Sequence, residues 1–448
     1  MPIYTVSKEG FQKMIRTLDK RYQLPSRNYF SQVAIPELYS KCRSEVKLEI
    51  TAVKFFSTTT DLWTSRTTEP YISLTVHFVD DDFELKSRCL QTSYFPDDHT
   101  GENIAAGLRE ALAAWDLWED SLVAVTTDNG TNIVKAVALN HWTRFQCFGH
   151  RLHLAIENAL KDHAQCITRA TGICRKIVGH FSQKREEKKR VALKEAQKEL
   201  NLPEHAMVTD CSTRWGSTQK MIDLEILESV NKALSPLQDF TDALSCERYV
   251  SISCVKPTLH LLNTSVLAEE EEDNPRFRTQ HISEQETQTL KEQVITELID
   301  IHQQQPVAQS TAAMEDNLEL DAENPPAAKA KKKTLASFFK KNTSTTSAAS
   351  FDPMVQFKEA VAAELNAYIY MPCVDHEEDP LKWWNSHKIN FPRLCKLAQK
   401  YLCIQATSSA SERAFSTSGN VVTDHRSCLK PDKVDMLVFL AKNLSIAK

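Results

Sequence analysis

Residues 122–128 read Leu-Val-Ala-Val-Thr-Thr-Asp, and this apolar run ending in a carboxylate decides the fold. A nearly continuous apolar run of this kind is typical of a parallel strand that is buried on both faces. Upstream of it, three β-rich runs at residues 54–60, 71–79 and 85–94 predict an antiparallel meander. The sequence therefore predicts an α/β protein with a mixed sheet.

Helical patterns flank the buried strand. Apolar residues recur every four positions across residues 101–115, which predicts an amphipathic helix before the strand. Residues 129–139 predict a second helix, and residues 144–147 predict a fifth short strand. Three antiparallel strands, a helix and a further strand are the opening order of an RNase H-like domain.

The composition limits the class of protein. A chain of 448 residues predicts two or three domains, and its net charge of −5 gives no global attraction to nucleic acid, so DNA contacts would need local basic patches. Only 9 glycines occur, which favours helices over turn-rich β folds. The 12 scattered cysteines without an apolar leader indicate a reducing, intracellular location, and we expect no membrane span.

Changes in composition divide the chain into five expected segments. Residues 265–350 contain acidic, glutamine-rich, proline-rich and lysine-rich runs. Because such a composition cannot bury enough apolar surface to fold, it predicts a disordered linker, with one possible helix at residues 290–302. The other segments are an N-terminal helical segment at 1–50, the first part of the core at 51–150, a large all-helical insertion at 151–264, and the end of the core at 351–448.

Three carboxylates are the candidates for chemistry. Asp61 and Asp128 each follow a predicted strand, and Glu412 opens a predicted helix. A purely structural explanation exists for each of them. An aspartate after a strand commonly caps the next turn or helix, and Ser409 with Glu412 has the spacing of a capping box at a helix start. Two aspartates at the ends of neighbouring strands would however meet at one sheet edge, where a hard cation such as Mg²⁺ or Mn²⁺ would relieve their repulsion.

The motifs around these carboxylates resemble those of the hAT superfamily of transposases. Asp61-Leu-Trp-Thr, Thr127-Asp-Asn-Gly-Thr-Asn and Ser411-Glu-Arg-Ala-Phe-Ser occur in the family's order, and the resemblance runs from about Tyr22 to Leu444. It implies that Asp61, Asp128 and Glu412 are the metal-binding catalytic triad of a DDE-type strand transferase. It also implies a nuclear, DNA-binding protein with an RNase H-like core.

The same resemblance assigns residues to DNA contact. It implies that Trp215 stacks on a flipped base and that Arg214 and Arg413 contact DNA. It also implies that Cys147 and His150 form a Cys-x-x-His motif beside the active site, which supports the core and contacts DNA through His150. Read from residue types alone, Trp215 is a core anchor, and Cys147 with His150 is a buried polar cluster or half of a zinc site. The four ligands of structural zinc are not evident, so zinc is not expected.

The last helix is predicted to mediate self-association. Pro431 suits its first turn, and the resemblance implies that the apolar helix is part of the hAT C-terminal dimerisation region, which gives a homodimer or higher oligomer. Because the helix is apolar nearly all round, we expect it to be buried against both the core and a partner subunit. We assign the interface to five residues: Val434, Leu437, Val438, Phe439 and Leu440.

The basic segment of the linker supports two interpretations. Leu335, Phe338 and Phe339 resemble a sliding-clamp binding peptide, although Lys332 stands where glutamine is usual. The alternative is a nuclear localisation signal whose aromatic residues have no role.

Two non-enzymatic functions remain open. Many hAT proteins carry an N-terminal BED zinc finger, and no Cys-x-x-Cys pair of that kind appears in this sequence. That favours a domesticated transcriptional regulator without catalysis, whereas the complete triad favours an enzyme. An interaction scaffold acting through the linker is the third possibility.

Overall fold

The computed structural model of the protein describes a defined subset of the chain. The described residues are 3–65, 68–162, 172, 175–176, 187–199, 228–246, 251–261, 284–303, 353–372, 378–422 and 429–444. They divide into two compact units, the first made of Met1–Arg276, Asp375–Lys388 and Ala398–Lys448, the second of Phe277–Val374 and Ile389–Leu397.

The first unit is built on a mixed sheet of five strands. The strands are β1 (Phe56–Thr64), β2 (Pro70–Val79), β3 (Leu85–Tyr94), β4 (Leu122–Thr127) and β5 (Arg144–Gln146). Their order across the sheet is β3-β2-β1-β4-β5. The β1–β2 and β2–β3 pairs are antiparallel, whereas β1–β4 and β4–β5 are parallel. The predicted meander and the predicted parallel strand are therefore both confirmed.

One strand boundary differs from the prediction in a way that matters for chemistry. We expected β1 to end before Asp61, but the strand continues to Thr64, and Asp61 pairs with Ser73 inside the β1–β2 ladder. The physical reason is that Leu62, Trp63 and Thr64 are good strand residues with partners on β2. Asp61 thus lies within a strand rather than at its end.

Helices make up most of the remaining described structure. They are α1 (Glu9–Leu18), α2 (Ile35–Thr51), α3 (Gly101–Ala114), α4 (Thr131–Leu139), α5 (Phe148–Asp162), α6 (Glu187–Glu199), α7 (Glu228–Leu244), α8 (Ile252–Leu261), α9 (Glu284–Gln303), α10 (Pro353–Tyr370), α11 (Pro380–His387), α12 (Leu394–Leu402), α13 (Ser409–Val421) and α14 (Pro431–Asn443). Single helical turns lie at Ile3–Ser7, Arg27–Tyr29, Phe30–Ala34 and Glu119–Ser121.

The main core lies on one face of the sheet. Strand alternation places Phe56 of β1 and Leu74 and Val76 of β2 on this face, where they pack against apolar residues of α2, α3 and α14. Helix α3 begins where Thr100 accepts a hydrogen bond from the amide of Asn103 at 3.2 Å. Its predicted apolar stripe, including Leu108 at 2% exposure, is buried as expected.

In the second unit, α9 packs against α10. His302 of α9 stacks on Phe357 of α10 with ring centroids 4.1 Å apart. The buried carboxylate of Glu364 accepts hydrogen bonds from the amides of Arg393 and Leu394 at 2.9 Å each, and pairs with the Arg393 guanidinium at 3.1 Å. The helix expected within the linker is confirmed, and it begins earlier, at Glu284.

Helix α14 corrects the assignment of the dimer interface. Val434, Val438 and Phe439 are 0% exposed and Leu440 is 6% exposed, all in the core of a single chain. Only Leu437 of the five predicted interface residues is half-buried. The physical reason is that α14 covers the edge strand β3, where Asp435 accepts from the amide of Thr92 at 2.6 Å. Among the helices that the structure describes, none is long and apolar enough to cross a membrane.

Candidate active site

The parallel pairing of β1 with β4 brings two aspartates to the same place. Thr59 of β1 is paired with Thr126 of β4, and Asp61 and Asp128 each lie two residues further along. Because parallel neighbours run in the same direction, the two aspartates lie at the same end of the β1–β4 pair. Both side chains are half-buried. The predicted convergence of the aspartates therefore survives the correction to the end of β1.

Glu412 reaches this place from the first turn of α13. The helix lies against β1 and β2, and the Phe415 ring stacks on Trp63, two residues after Asp61, with centroids 5.6 Å apart. The predicted capping box is wrong. The N-cap is Ser408 without a side-chain cap, and the Ser409 hydroxyl instead donates to the carbonyl of Ser245 at 2.9 Å.

The electrostatics of Asp61 show that the three carboxylates form one group. Burial, together with the charges of Asp128 and Glu412, raises the pKa of Asp61 from 3.8 to about 7. The amide of Leu62, which donates to the Asp61 carboxylate at 2.9 Å, and the charge of His150 oppose that rise in pKa. The site therefore carries repulsion between acidic groups that nearby donors only partly offset.

This donor set fits a hard divalent cation. Three carboxylates supply the oxygen ligands that Mg²⁺ and Mn²⁺ prefer, and a cation between them would remove the repulsion that raises the pKa of Asp61. As placed, no three His, Cys, Asp or Glu side chains among the described residues are close enough to hold a metal ion.

The loop that carries Asp128 is held by its neighbours. The Asp128 side chain accepts a hydrogen bond from the amide of Gly130 at 3.1 Å, the turn-capping contact that an aspartate after a strand predicts. Arg144 of β5 donates to the Thr127 hydroxyl at 2.8 Å and to the side chain of Asn129 at 2.7 Å. Arg144 was not singled out from the sequence, because its role depends on the β4–β5 pairing.

Cys147 and His150 lie beside the carboxylates as a coupled pair. Interaction with Cys147 raises the pKa of His150 to about 9 against the opposing effect of burial, and the charges of Glu412 and Asp128 add to the rise. Burial alone would raise the pKa of the Cys147 thiol, but His150 and the amide of Ser408 lower it. His150 thus places positive charge against the acidic group.

The remaining predicted site residues divide by location. Arg413 follows Glu412 on α13 and is exposed. Trp215, Arg214 and the three residues of the clamp-like peptide, Leu335, Phe338 and Phe339, lie outside the residues that the structure describes.

Sequence reasoning missed a layer of hydroxyl side chains between the sheet and α13. Ser57 and Thr59 on β1, with Ser73 and Thr75 on β2, are all buried. These residues occupy alternate positions on each strand, and that alternation could have predicted a polar face of the sheet. The threonine run was interpreted only as evidence for a strand.

Family models match three regions of the chain. Residues 59–142 match the ZBED1 RNase-like domain, residues 145–253 match the ZBED1 RNase-like helical domain, and residues 364–444 match the hAT family C-terminal dimerisation region. The fold and the site thus define an RNase-like α/β protein that carries a hAT dimerisation region.

Curated relatives agree with this class. The chain is 25% identical to human "Zinc finger BED domain-containing protein 4", over 99% of the chain and 42% of that protein. It is 22% identical to the maize "Putative AC transposase", over 98% of the chain and 62% of that protein. The chain therefore spans less than two thirds of either relative. Over nearly its whole length it is similar to a hAT transposase and to a BED-finger protein.

Proposed function

We propose that the protein is a nuclear, DNA-binding, hAT transposase-like enzyme that dimerises through its C-terminal region and cleaves and transfers DNA strands with a divalent metal. The observation that carries the proposal is the placement of Asp61 and Asp128 at the same end of the β1–β4 pair, with Glu412 near enough for its charge to help raise the pKa of Asp61 to about 7. Carboxylates are gathered against their own repulsion where a site is built to bind a cation.

Each residue has a distinct role in this proposal. Asp61 and Asp128 hold cations from the rigid β1–β4 pair, and Glu412 closes the site from α13. Bound Mg²⁺ or Mn²⁺ supplies activation of the attacking oxygen and stabilisation of the leaving oxygen in phosphoryl transfer. The half-buried His150, whose raised pKa keeps its ring protonated at neutral pH, faces the acidic group and is suited to contact a DNA phosphate.

DNA binding outside the carboxylate group rests on fewer observations. Arg413 is exposed beside Glu412, where its guanidinium can reach a phosphate of the strand being cut. Trp215 and Arg214 keep their proposed roles through the resemblance and through the match of residues 145–253 to the RNase-like helical domain.

A DNA-nicking assay tests the catalytic proposal. We expect the protein to nick supercoiled plasmid DNA in Mn²⁺, and we expect Glu412→Gln to abolish nicking while leaving DNA binding in place. The control is Asp81→Asn, which removes an exposed carboxylate in the β2–β3 turn. Nicking that survives in Glu412→Gln, or that is lost equally in the control, would contradict the assigned triad.

The alternative is a regulator that binds DNA and dimerises without catalysis. The similarity to human proteins whose names record a BED zinc finger domain favours it. The same assay separates the two functions, because a regulator binds DNA and gives no nicking with any divalent cation.

A further inference from the structure

The sheet has one buried face that is polar, which is unusual for a protein interior. On this face lie Ser57 and Thr59 of β1 and Ser73, Thr75 and His77 of β2, each no more than 2% exposed. Burying hydroxyl groups in place of apolar side chains costs free energy unless every group finds a partner. This face packs against α13 and the segment that leads into it.

A continuous hydrogen-bonded chain crosses this face and ends on α13. The His77 Nε2 lies 2.9 Å from the Thr75 hydroxyl, and the Thr75 and Thr59 hydroxyls are 2.6 Å apart. The Thr59 hydroxyl lies 2.7 Å from the hydroxyl of Ser411, the residue before Glu412. Burial lowers the pKa of His77 to about 3, so its ring is neutral and carries a single N–H.

The segment before Ser411 is held by the same kind of contact. The Ser57 hydroxyl donates to the carbonyl of Cys403 at 2.7 Å, and the Thr126 hydroxyl donates to the carbonyl of Gln405 at 2.7 Å. The amide of Ser408 donates to the Cys147 sulfur at 3.3 Å. Side chains of β1, β4 and the β5–α5 junction thus fix the approach of the chain to Glu412.

We propose that the chain Ser411–Thr59–Thr75–His77 is a positioning device that holds Glu412 against Asp61. Thr59 sits at the register position that pairs with Thr126, two residues before Asp61, and it bonds the residue before Glu412. One side chain therefore sets both the strand that carries Asp61 and the helix that carries Glu412. This inference rests on the proposed function.

The neighbouring threonine provides a matched comparison. Thr60 is 1% exposed, and its hydroxyl donates to the carbonyl of Ser73 at 2.8 Å, within the sheet. It lies on the face of β1 opposite Thr59, away from α13. Thr59→Val and Thr60→Val each remove one buried hydroxyl while keeping the shape of the side chain, but only Thr59→Val breaks the bond to Ser411.

Mn²⁺ titration of the whole protein tests the proposal. We expect Thr59→Val to weaken Mn²⁺ binding at least tenfold, as loss of a contact that orients a metal ligand does. Thr59→Ser keeps the hydroxyl and restores the affinity, and Thr60→Val leaves it within about twofold of the original protein. Equal Mn²⁺ affinities in Thr59→Val and Thr60→Val would overturn the proposal.

A second measurement separates failure of this proposal from failure of the proposed function. If the unmutated protein binds no Mn²⁺ either alone or with duplex DNA, the metal site is wrong, and amide exchange of the first turn of α13 decides the positioning role. Faster exchange of residues 409–415 in Thr59→Val alone would support positioning of Glu412 by the hydroxyl chain. Equal exchange in Thr59→Val and Thr60→Val would overturn it.

Discussion

Replacing Asp61 by asparagine is expected to stabilise the sheet while removing metal binding. The carboxylate of Asp61 is half-buried, and the charges of Asp128 and Glu412 lie close to it. Asparagine has nearly the same shape, keeps an oxygen to accept from the amide of Leu62, and carries no charge. Removing a repelled charge from the site therefore lowers the free energy of the folded state.

The size of the effect follows from the pKa of Asp61. A rise from 3.8 to about 7 corresponds, at roughly 1.36 kcal/mol per pKa unit, to an upper limit of about 4 kcal/mol. The side chain keeps partial contact with water, which screens the repulsion, so we expect about 2 kcal/mol.

The sign depends on pH. A carboxyl group whose pKa is raised on folding does not lower the free energy of unfolding at pH values below its pKa in the unfolded chain. Its cost grows from about pH 4 and levels off above pH 7. Asp61→Asn should therefore match the original protein near pH 4 and exceed its stability at pH 8.

Hydrogen exchange of peptides from β1 and β2 during urea unfolding measures this difference for the sheet alone, without assuming that both units unfold together. The measurement is made at pH 4 and pH 8 in EDTA, with Asp81→Asn as the control for an exposed carboxylate. Adding Mn²⁺ should stabilise only the protein that retains Asp61, by about 2.7 kcal/mol at a hundredfold excess over the dissociation constant. An Asp61→Asn protein that is less stable at pH 8, or equally changed at both pH values, would refute the reasoning.

Three further predictions concern packing away from the metal site. Asp435→Asn keeps the oxygen that accepts from the amide of Thr92 and removes a carboxylate whose pKa burial raises to about 6. We therefore expect the free energy of unfolding in urea to rise by about 1–2 kcal/mol above pH 6, and the gain to disappear near pH 4. A lower free energy of unfolding at pH 7.5 would contradict this. Phe439→Ala removes a fully buried ring that stacks on Trp115, and it should lower the free energy of unfolding by about 3–5 kcal/mol in the same assay. A loss under about 1 kcal/mol would mean that α14 does not cover the core. Glu364→Ala leaves two backbone amides at the start of α12 without their acceptor, and limited proteolysis should cut the second unit faster, with unchanged cleavage as the contrary result.

The sheet could be predicted from the sequence because its signals are local. The apolar run of β4 and the spaced strands of the meander each reflect burial of their own residues, and β3 and β4 have the predicted bounds. The end of β1 could not be predicted to the residue, because the strand continues past Asp61 where β2 offers partners for Leu62 and Trp63.

The residues proposed for the site come from local motifs, whereas the contacts that support them do not. Asp61, Asp128 and Glu412 are recognisable from their motifs, whereas the contacts of Thr59 and Ser411 join residues far apart in the chain. A similar limit explains the error at Ser409, whose capping pattern is local but whose hydroxyl has a better partner at Ser245. Apolar residues of α14 were assigned to a partner subunit because a sequence pattern does not distinguish packing within a chain from packing between chains.

The most direct test of the central claim is calorimetric titration of Mn²⁺ into the protein and into Asp128→Ala and Glu412→Ala, each with and without duplex DNA. If the three carboxylates form one metal site, the unmutated protein binds Mn²⁺ and both variants lose that binding. If the unmutated protein is silent with and without DNA, or if either variant binds as well as the original, then Asp61, Asp128 and Glu412 do not form a shared metal site.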